Sequence, residues 1–237
     1  MSKLIIFGDS FAYPPIEWNK APFTDDNIYW VDQVAKKLQV SEFVNFSEYG
    51  CSNDFIFHNL FSWVKSIIEA KQEDLSNFFA IVITTEKNRR WLFKEHPNYS
   101  NLTNIVTGRA EFLNKQQTNA VKNYLKYLDN ELSSEAIDNM FSYSLLFFKN
   151  IFPNFLIIPG FNNSPAADCS SCLSRVSYAE FISSEAVDLH YVTFPIDPRL
   201  NHLSPVNHII LADKIIKYFN DKELIDFDKG FIQNIYT

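Results

Sequence analysis

Short apolar runs alternate along this chain with longer stretches whose apolar residues recur at helical spacing. This alternation constrains the fold more than any other feature of the sequence. The runs that predict strands are Leu4–Phe7, Phe43–Phe46, Phe78–Thr84 and Asn154–Ile158, with Tyr191–Phe194 as a further candidate. The stretches that predict helices cover about 30–38, 56–68, 117–132, 134–150 and 205–220.

Apolar strands separated by helices are typical of a parallel sheet that is buried on both faces, so the expected fold class is α/β. The 237 residues suffice for a large buried core, and we expect a single three-layer domain over residues 1–237. Two irregular, polar stretches near 86–117 and 160–177 are predicted loop insertions. Both follow predicted strands and are therefore expected at the carboxyl edge of the sheet, where open α/β folds bind ligands. The alternative is that these loops have no role in binding.

The net charge of −7 argues against non-specific binding of nucleic acid, which needs lysine and arginine to neutralise phosphates. No apolar stretch approaches the roughly 20 residues that span a bilayer. Asp9 interrupts the first apolar run before that run reaches the length of a secretory signal. We therefore expect a cytoplasmic protein without a membrane span and without a nucleic-acid partner.

The three cysteines predict no disulfide framework. Cys169 and Cys172 form a lone C-x-x-C pair, and Cys51 is far from them in the sequence. A four-ligand zinc site needs two more ligands, which the sequence does not supply nearby. We expect ordinary thiols and no metal site, with a metal or redox role for the C-x-x-C pair as the alternative.

The first predicted strand lies in the sequence KLIIFGDSFA, where the apolar run stops at Gly8 and is followed by Asp9 and Ser10. A residue directly after a parallel strand lies at the carboxyl edge of the sheet. Gly8, one of five glycines in the chain, allows the backbone to turn sharply there. Ser10 is then either an exposed nucleophile or a turn residue whose hydroxyl bonds the local backbone. The choice depends on whether a base lies at the same edge.

A candidate base lies near the other end of the chain, in the sequence IDPRLNHLSPVNHIILAD. Ser204 followed by Pro205 predicts a helix start, with a capping hydroxyl and a proline at the first helical position. His202 is expected in the loop before that helix, where it can act as a general base, and Asp197 could hold its other ring nitrogen. Alternatively, His202 packs locally and Asp197 pairs with Arg199.

Three blocks of the sequence together resemble the SGNH (GDSL-type) hydrolases: FGDSFA after the first strand, GCSN after the second, and NHLSPVNHIILAD near the C-terminus. The resemblance implies a flavodoxin-like three-layer fold with a central, mostly parallel sheet. It also implies that Ser10 is the nucleophile and His202 its base, and that the backbone N–H groups of Ser10 and Gly50 donate to the oxyanion. The pair Asn207–His208 falls on the glycine–histidine pair that opens the last helix of the family.

One departure from the family pattern concerns the acid of the triad. That acid usually lies three residues before the histidine, but Arg199 occupies this position. We favour Asp197, which requires the loop to bulge toward the His202 ring. The alternative is a serine–histidine pair in which a backbone carbonyl orients His202.

A second departure concerns the oxyanion asparagine, which the family pattern leads us to expect after the third strand. This chain reads IVITTEKNRRW there, and Glu86 is nearest to the expected position. Asn53 or Asn88 is expected to supply the missing donor, with the hydroxyl of Thr84 or Thr85 as another candidate. Asp9 and Thr85 are predicted supporting residues.

The resemblance therefore implies a serine esterase that hydrolyses a carboxylic ester through an acyl-Ser10 intermediate, without a cofactor. The substrate would be a small-molecule or glycan ester with an acyl or acetyl group. Aromatic residues of the 86–117 stretch, such as Trp91, could stack on a sugar, line an acyl pocket or simply pack. The alternative is an SGNH-like domain that has lost catalytic rate and serves as a binding module, for example for carbohydrate.

Overall fold

The computed structural model of the chain describes residues 2–13, 29–71, 74–86, 89–91, 114–128, 131–161, 164, 171–172, 203, 205–227 and 229–231. The candidate strand Tyr191–Phe194 lies outside these residues. So does most of each predicted loop insertion.

The four other predicted strands form one sheet, in which all neighbouring pairs are parallel. In chain order they are β1 (Lys3–Phe7), β2 (Glu42–Asn45), β3 (Phe78–Thr84) and β4 (Asn154–Pro159). Their spatial order is β2-β1-β3-β4. The predicted parallel sheet is therefore confirmed in the part of the chain that the structure describes.

Five α-helices accompany the sheet within the described ranges: α1 (Trp30–Lys37), α2 (Asn53–Glu69), α3 (Lys115–Leu128), α4 (Glu131–Ile151) and α5 (Pro205–Asp221). A short 3-10 turn, Leu75–Asn77, leads into β3. Apolar periodicity predicts α2 only from about residue 56, but the helix begins earlier because the Ser52 side chain caps it by accepting a hydrogen bond from the Phe55 N–H. None of the described helices is long and apolar enough to cross a membrane.

Alternate residues of the strands fill two separate cores, one on each face of the sheet. The first core joins one face to α1 and α5 and includes Leu4, Ile6, Ile81, Ile83, Leu156, Ile158, Trp30, Val34, Leu211 and Ile215. The second joins the opposite face to α2 and α4 and includes Ile5, Phe7, Ala80, Val82, Phe155, Ile157, Ile56, Leu60, Phe141 and Leu145. The structure is therefore a three-layer α/β arrangement, as the sequence pattern predicts.

Gly160, directly after β4, allows a close approach between the ends of two strands. A Cβ atom at this position would lie 2.5 Å from the Thr84 carbonyl oxygen and 3.2 Å from the Phe11 ring. The Gly160 N–H donates to the same carbonyl oxygen at 2.7 Å. Any side chain here would have to push the backbone of β3 or the Phe11 ring away.

We expect Gly160→Ala to lower the free energy of unfolding by about 1–3 kcal/mol, because the added methyl group overpacks this contact. Chemical denaturation followed by circular dichroism measures the loss. Ser62→Ala, at an exposed position of α2, is the control and should change the free energy of unfolding by less than about 0.5 kcal/mol. A Gly160→Ala protein as stable as its parent would contradict the close approach.

Candidate active site at the carboxyl edge of the sheet

The strands β1 and β3 are neighbours in the sheet, and the chain leaves their carboxyl ends in opposite directions. From β1 it continues to β2 on one side, and from β3 it continues to β4 on the other side. In open α/β sheets such a reversal leaves a crevice at the carboxyl ends of the two strands, and ligands bind there. Residues 8–13 and 85–86 follow these two strand ends.

Ser10 lies in a single helical turn that follows β1. The backbone N–H groups of Ala12 and Tyr13 both donate to the Asp9 carbonyl oxygen, each at 3.1 Å. Ser10 is 8% exposed within this turn. Ser10 is therefore a nearly buried residue of a hydrogen-bonded turn at the carboxyl edge of the sheet, where an exposed hydroxyl was expected from the sequence.

Asp9 is fully buried, and its carboxylate accepts three hydrogen bonds from the residues that the structure describes. Oδ1 accepts from the Phe11 N–H at 3.1 Å. Oδ2 accepts from the Thr85 hydroxyl at 3.0 Å and from the Arg89 guanidinium at 3.1 Å. Because a buried carboxylate is costly without a charge partner and hydrogen bonds, this set of donors offsets the cost of burying the Asp9 side chain.

Arg89 is the residue of this site that sequence reasoning missed, because its context EKNRRW reads only as a local basic patch. Its Nε donates to Glu86 at 2.9 Å, and its guanidinium lies 5.2 Å from the centroid of the Phe161 ring. The feature of the sequence that could have pointed to a nearby cation such as Arg89 is Asp9. A carboxylate directly after a buried strand needs a cation, and a cation near the end of another strand can supply it.

Asn53, the first residue of α2, is fully buried and binds the backbone that follows β3. Its Oδ1 accepts from the Thr85 N–H at 2.9 Å. Its Nδ2 donates to the carbonyl oxygens of Thr85 at 2.9 Å and Glu86 at 3.4 Å. The side-chain amide therefore bonds Thr85 as a neighbouring strand would, and it attaches the start of α2 to the end of β3.

The segment between β2 and α2 also reaches the end of β1. Gly50 has a φ of +65°, in the left-handed region that glycine adopts without strain. The neighbouring Cys51 thiol donates to the Gly8 carbonyl oxygen at 3.2 Å. Burial, together with the negative charge of Asp9, raises the pKa of Cys51 well above its usual value. The thiol is therefore protonated and acts as a donor, not as a nucleophile.

A second serine hydroxyl lies at the same edge. Ser47 follows β2 and is 6% exposed. Its Oγ has no hydrogen-bond partner in the part of the chain that the structure describes, and it lies 3.5 Å from where a Cβ atom would stand on Gly8. Ser47 is therefore a matched comparison for Ser10.

The start of α5 is linked to the Ser10 turn through the start of α1. The Phe11 carbonyl oxygen accepts from the Tyr29 hydroxyl at 3.0 Å and from the Trp30 indole at 2.9 Å. The Tyr29 ring lies 5.0 Å, between centroids, from the imidazole of His208 in the first turn of α5. Leu203, just before α5, is buried in the same core. This chain of contacts brings the first turn of α5 toward the carboxyl edge of the sheet.

The short segment that includes Trp91 packs on the first turns of α2. The Trp91 ring lies 5.2 Å from the rings of both Phe55 and His58. Its backbone N–H donates to the Asp54 carboxylate at 3.1 Å. Burial raises the pKa of Asp54, an effect that the positive charge of Arg90 opposes.

Three predicted site residues, His202, Asp197 and Asn88, lie outside the residues that the structure describes, and so does Cys169. Cys172 forms a parallel bridge with Ile225, and burial raises the pKa of its thiol to about 12. Within the described residues, no three His, Cys, Asp or Glu side chains are grouped so that they could hold a metal ion.

Comparison of the chain with protein-family models, with curated proteins and with solved structures found no match.

We expect Asn53→Ala to lower the free energy of unfolding by about 2–4 kcal/mol, because it leaves the buried N–H and C=O groups of Thr85 without the partner they have now. Asn59→Ala is the matched control on the same helix, since its amide makes one long hydrogen bond, 3.5 Å to the Phe46 carbonyl oxygen. That variant should lose less than about 1 kcal/mol. Urea denaturation compares the two, and equal losses would contradict the special role of Asn53.

Proposed function

We propose that the protein is a serine hydrolase of the SGNH (GDSL) type that cleaves a carboxylic ester through an acyl-Ser10 intermediate. The observation that carries the proposal is the position of Ser10. It lies in a hydrogen-bonded turn at the end of β1, where the sheet reverses direction and open α/β folds bind their ligands.

In the proposed reaction, Ser10 Oγ attacks the ester carbonyl carbon while its proton passes to His202. The negative charge that develops on the carbonyl oxygen is stabilised by the backbone N–H groups of Ser10 and Gly50. His202 then gives the proton to the departing alcohol. Water, with His202 again as base, hydrolyses the acyl-Ser10 ester and restores the enzyme.

The contacts around α5 support His202 as the base. Tyr29 contacts both the Phe11 carbonyl, next to Ser10, and the His208 ring in the first turn of α5. Leu203, which follows His202 in the sequence, is buried, and the helix that begins at Pro205 starts at a point linked to the Ser10 turn. Asp197 is the proposed orienting acid, with a backbone carbonyl as the alternative.

The topology supports the proposed fold type. The strand order β2-β1-β3-β4 matches the first four strands of the flavodoxin-like order. The fully buried Asp9 and the left-handed Gly50 lie in two of the three blocks that resemble the SGNH family.

A second candidate function is a binding module with the same fold. The contacts of Asn53 favour it, because the amide that was expected to donate to the oxyanion donates instead to the backbone carbonyls of Thr85 and Glu86. The loss of one donor from an oxyanion hole typically lowers the catalytic rate about 10²–10³-fold. The two candidates differ in one measurable property, the nucleophilic reactivity of Ser10.

We expect a small fluorophosphonate probe to form a single adduct on the peptide that contains Ser10, because an activated serine attacks phosphorus as it attacks a carbonyl carbon. Intact mass and peptide mapping identify the adduct. Ser10→Ala should abolish it, while Ser47→Ala, which removes the buried hydroxyl at the same edge, should leave it. A folded protein that stays unmodified after long incubation would favour the binding module.

We expect His202→Ala to slow fluorophosphonate labelling of Ser10 by about 10²–10⁴-fold, the usual contribution of a general base. His208→Ala is the matched control. Because His208 is 1% exposed and packs on Tyr29, its loss should lower the melting temperature and change the labelling rate by less than about tenfold. Equal, full labelling rates in both variants would eliminate His202 as the base.

A further inference from the structure

We infer that Arg89 is a positioning residue: its guanidinium balances the buried charge of Asp9 and thereby holds the turn that carries Ser10 in its reactive conformation. The inference rests on the proposed function, because it concerns the reactivity of Ser10. Arg89 lies in none of the three sequence blocks that resemble the SGNH hydrolases. Only its contacts in the structure point to this role.

The Asp9 carboxylate joins three parts of the chain that are separate in sequence. One donor is the Phe11 N–H of the Ser10 turn itself, the second is the Thr85 hydroxyl after β3, and the third is Arg89. Of these three donors, only Arg89 carries a positive charge. Because Asp9 is completely buried, removal of that charge would leave a desolvated carboxylate whose remaining two hydrogen bonds are neutral.

Arg89 is also linked to the other side of the Ser10 turn, through the Phe161 ring. Its guanidinium lies 5.2 Å from the Phe161 ring centroid, and the Phe161 ring lies 5.3 Å from that of Phe11. Asp9 precedes Ser10 in the chain and Phe11 follows it. Arg89 is therefore linked to both chain neighbours of Ser10, to Asp9 directly through charge and to Phe11 through the Phe161 ring.

The planar guanidinium of Arg89 donates to two carboxylates through two different nitrogen atoms. Nη1 donates to Asp9 at 3.1 Å, while Nε donates to Glu86 at 2.9 Å. The side chain is only 17% exposed, so solvent does not replace these partners easily. Lysine at this position keeps the charge beside Asp9 and loses the planar fork that bonds two carboxylates and packs on Phe161, so this replacement separates charge balance from the geometry of the fork.

The test measures the rate of fluorophosphonate labelling of Ser10 in the full chain for Arg89→Gln, Arg89→Lys, Asp9→Asn and the double variant Asp9→Asn/Arg89→Gln. Lys37→Gln is the control, because it removes an exposed ion pair with Asp213 that joins α1 to α5 away from the crevice. Melting temperatures are recorded for every variant, so that labelling is compared only between folded proteins.

We expect Arg89→Gln to lower the labelling rate by about 10²-fold, the usual effect of a small misplacement of a reacting group. Arg89→Lys should stay within about tenfold of the parent, because it keeps the charge. The double variant should recover at least about tenfold over Arg89→Gln, since the neutral amide that replaces the Asp9 carboxylate needs no positive partner. Lys37→Gln should label at the parental rate.

Two results would overturn the inference: Arg89→Gln labelling at the parental rate, or a double variant no faster than Arg89→Gln. If Arg89→Gln does not fold, the labelling rate of Arg89→Lys is used as the test instead. A rate within about tenfold of the parent then supports charge balance, and a loss of about 10²-fold excludes it.

A second measurement separates this inference from the proposed function. Hydrogen exchange of the amides of residues 11–13 reports on the turn directly, since the Phe11 N–H is bonded to Asp9. Exchange should accelerate at least about tenfold in Arg89→Gln and slow again in the double variant. If the parent protein does not label at Ser10 and exchange still changes in this way, the hydrolase proposal fails and the role of Arg89 stands. Unchanged exchange would refute the role of Arg89.

Discussion

The Asp9 carboxylate is buried at the end of β1, and its charge has to be balanced inside the protein. Its donors come from the turn that carries Ser10, from Thr85 after β3 and from Arg89. Because the three segments bond the same group, the conformation of the Ser10 turn depends on the position of the neighbouring strand end. The bonds between Asn53 and Thr85 then tie α2 to that strand end as well. A polar cluster of this kind stabilises one arrangement only when each buried group is satisfied.

The two apolar cores hold in place the strand ends that carry these polar residues. Both faces of the sheet are covered, so β1 and β3 are held side by side by packing and by their parallel ladder. The helices α1, α2 and α5 each begin near the carboxyl edge and contribute a side chain from their first turn. Trp30 bonds the Phe11 carbonyl, Asn53 bonds Thr85, and His208 packs against Tyr29. The cores thus set the helix positions, and the helix starts in turn hold the turn around Ser10.

Much of this arrangement could be predicted from the sequence, because side-chain periodicity reports strands and helices locally. Ser10 was predicted at the carboxyl edge because it follows a predicted strand, and a parallel sheet brings such residues to one side, whereas the roles of Gly50 and Thr85 were expected from the resemblance. The contacts among them could not be predicted. Asn53 was expected to donate to a reaction intermediate, whereas its amide bonds the backbone after β3. The roles of His202 and Asp197 stay predictions.

By itself, the sequence determined the alternation of strands and helices, the α/β class, and the position of Ser10 directly after a strand. These features follow from the local pattern of apolar residues, which each segment carries independently of the others. Only the tertiary structure decided that β1 and β3 are neighbours and that the chain reverses between them. Strand order depends on how the crossover helices pack, and no local pattern encodes it. For the same reason the sequence indicates that Asp9 needs a cation but not that Arg89 is that cation. Arg89 lies 80 residues from Asp9 and meets it only because their two strands are adjacent.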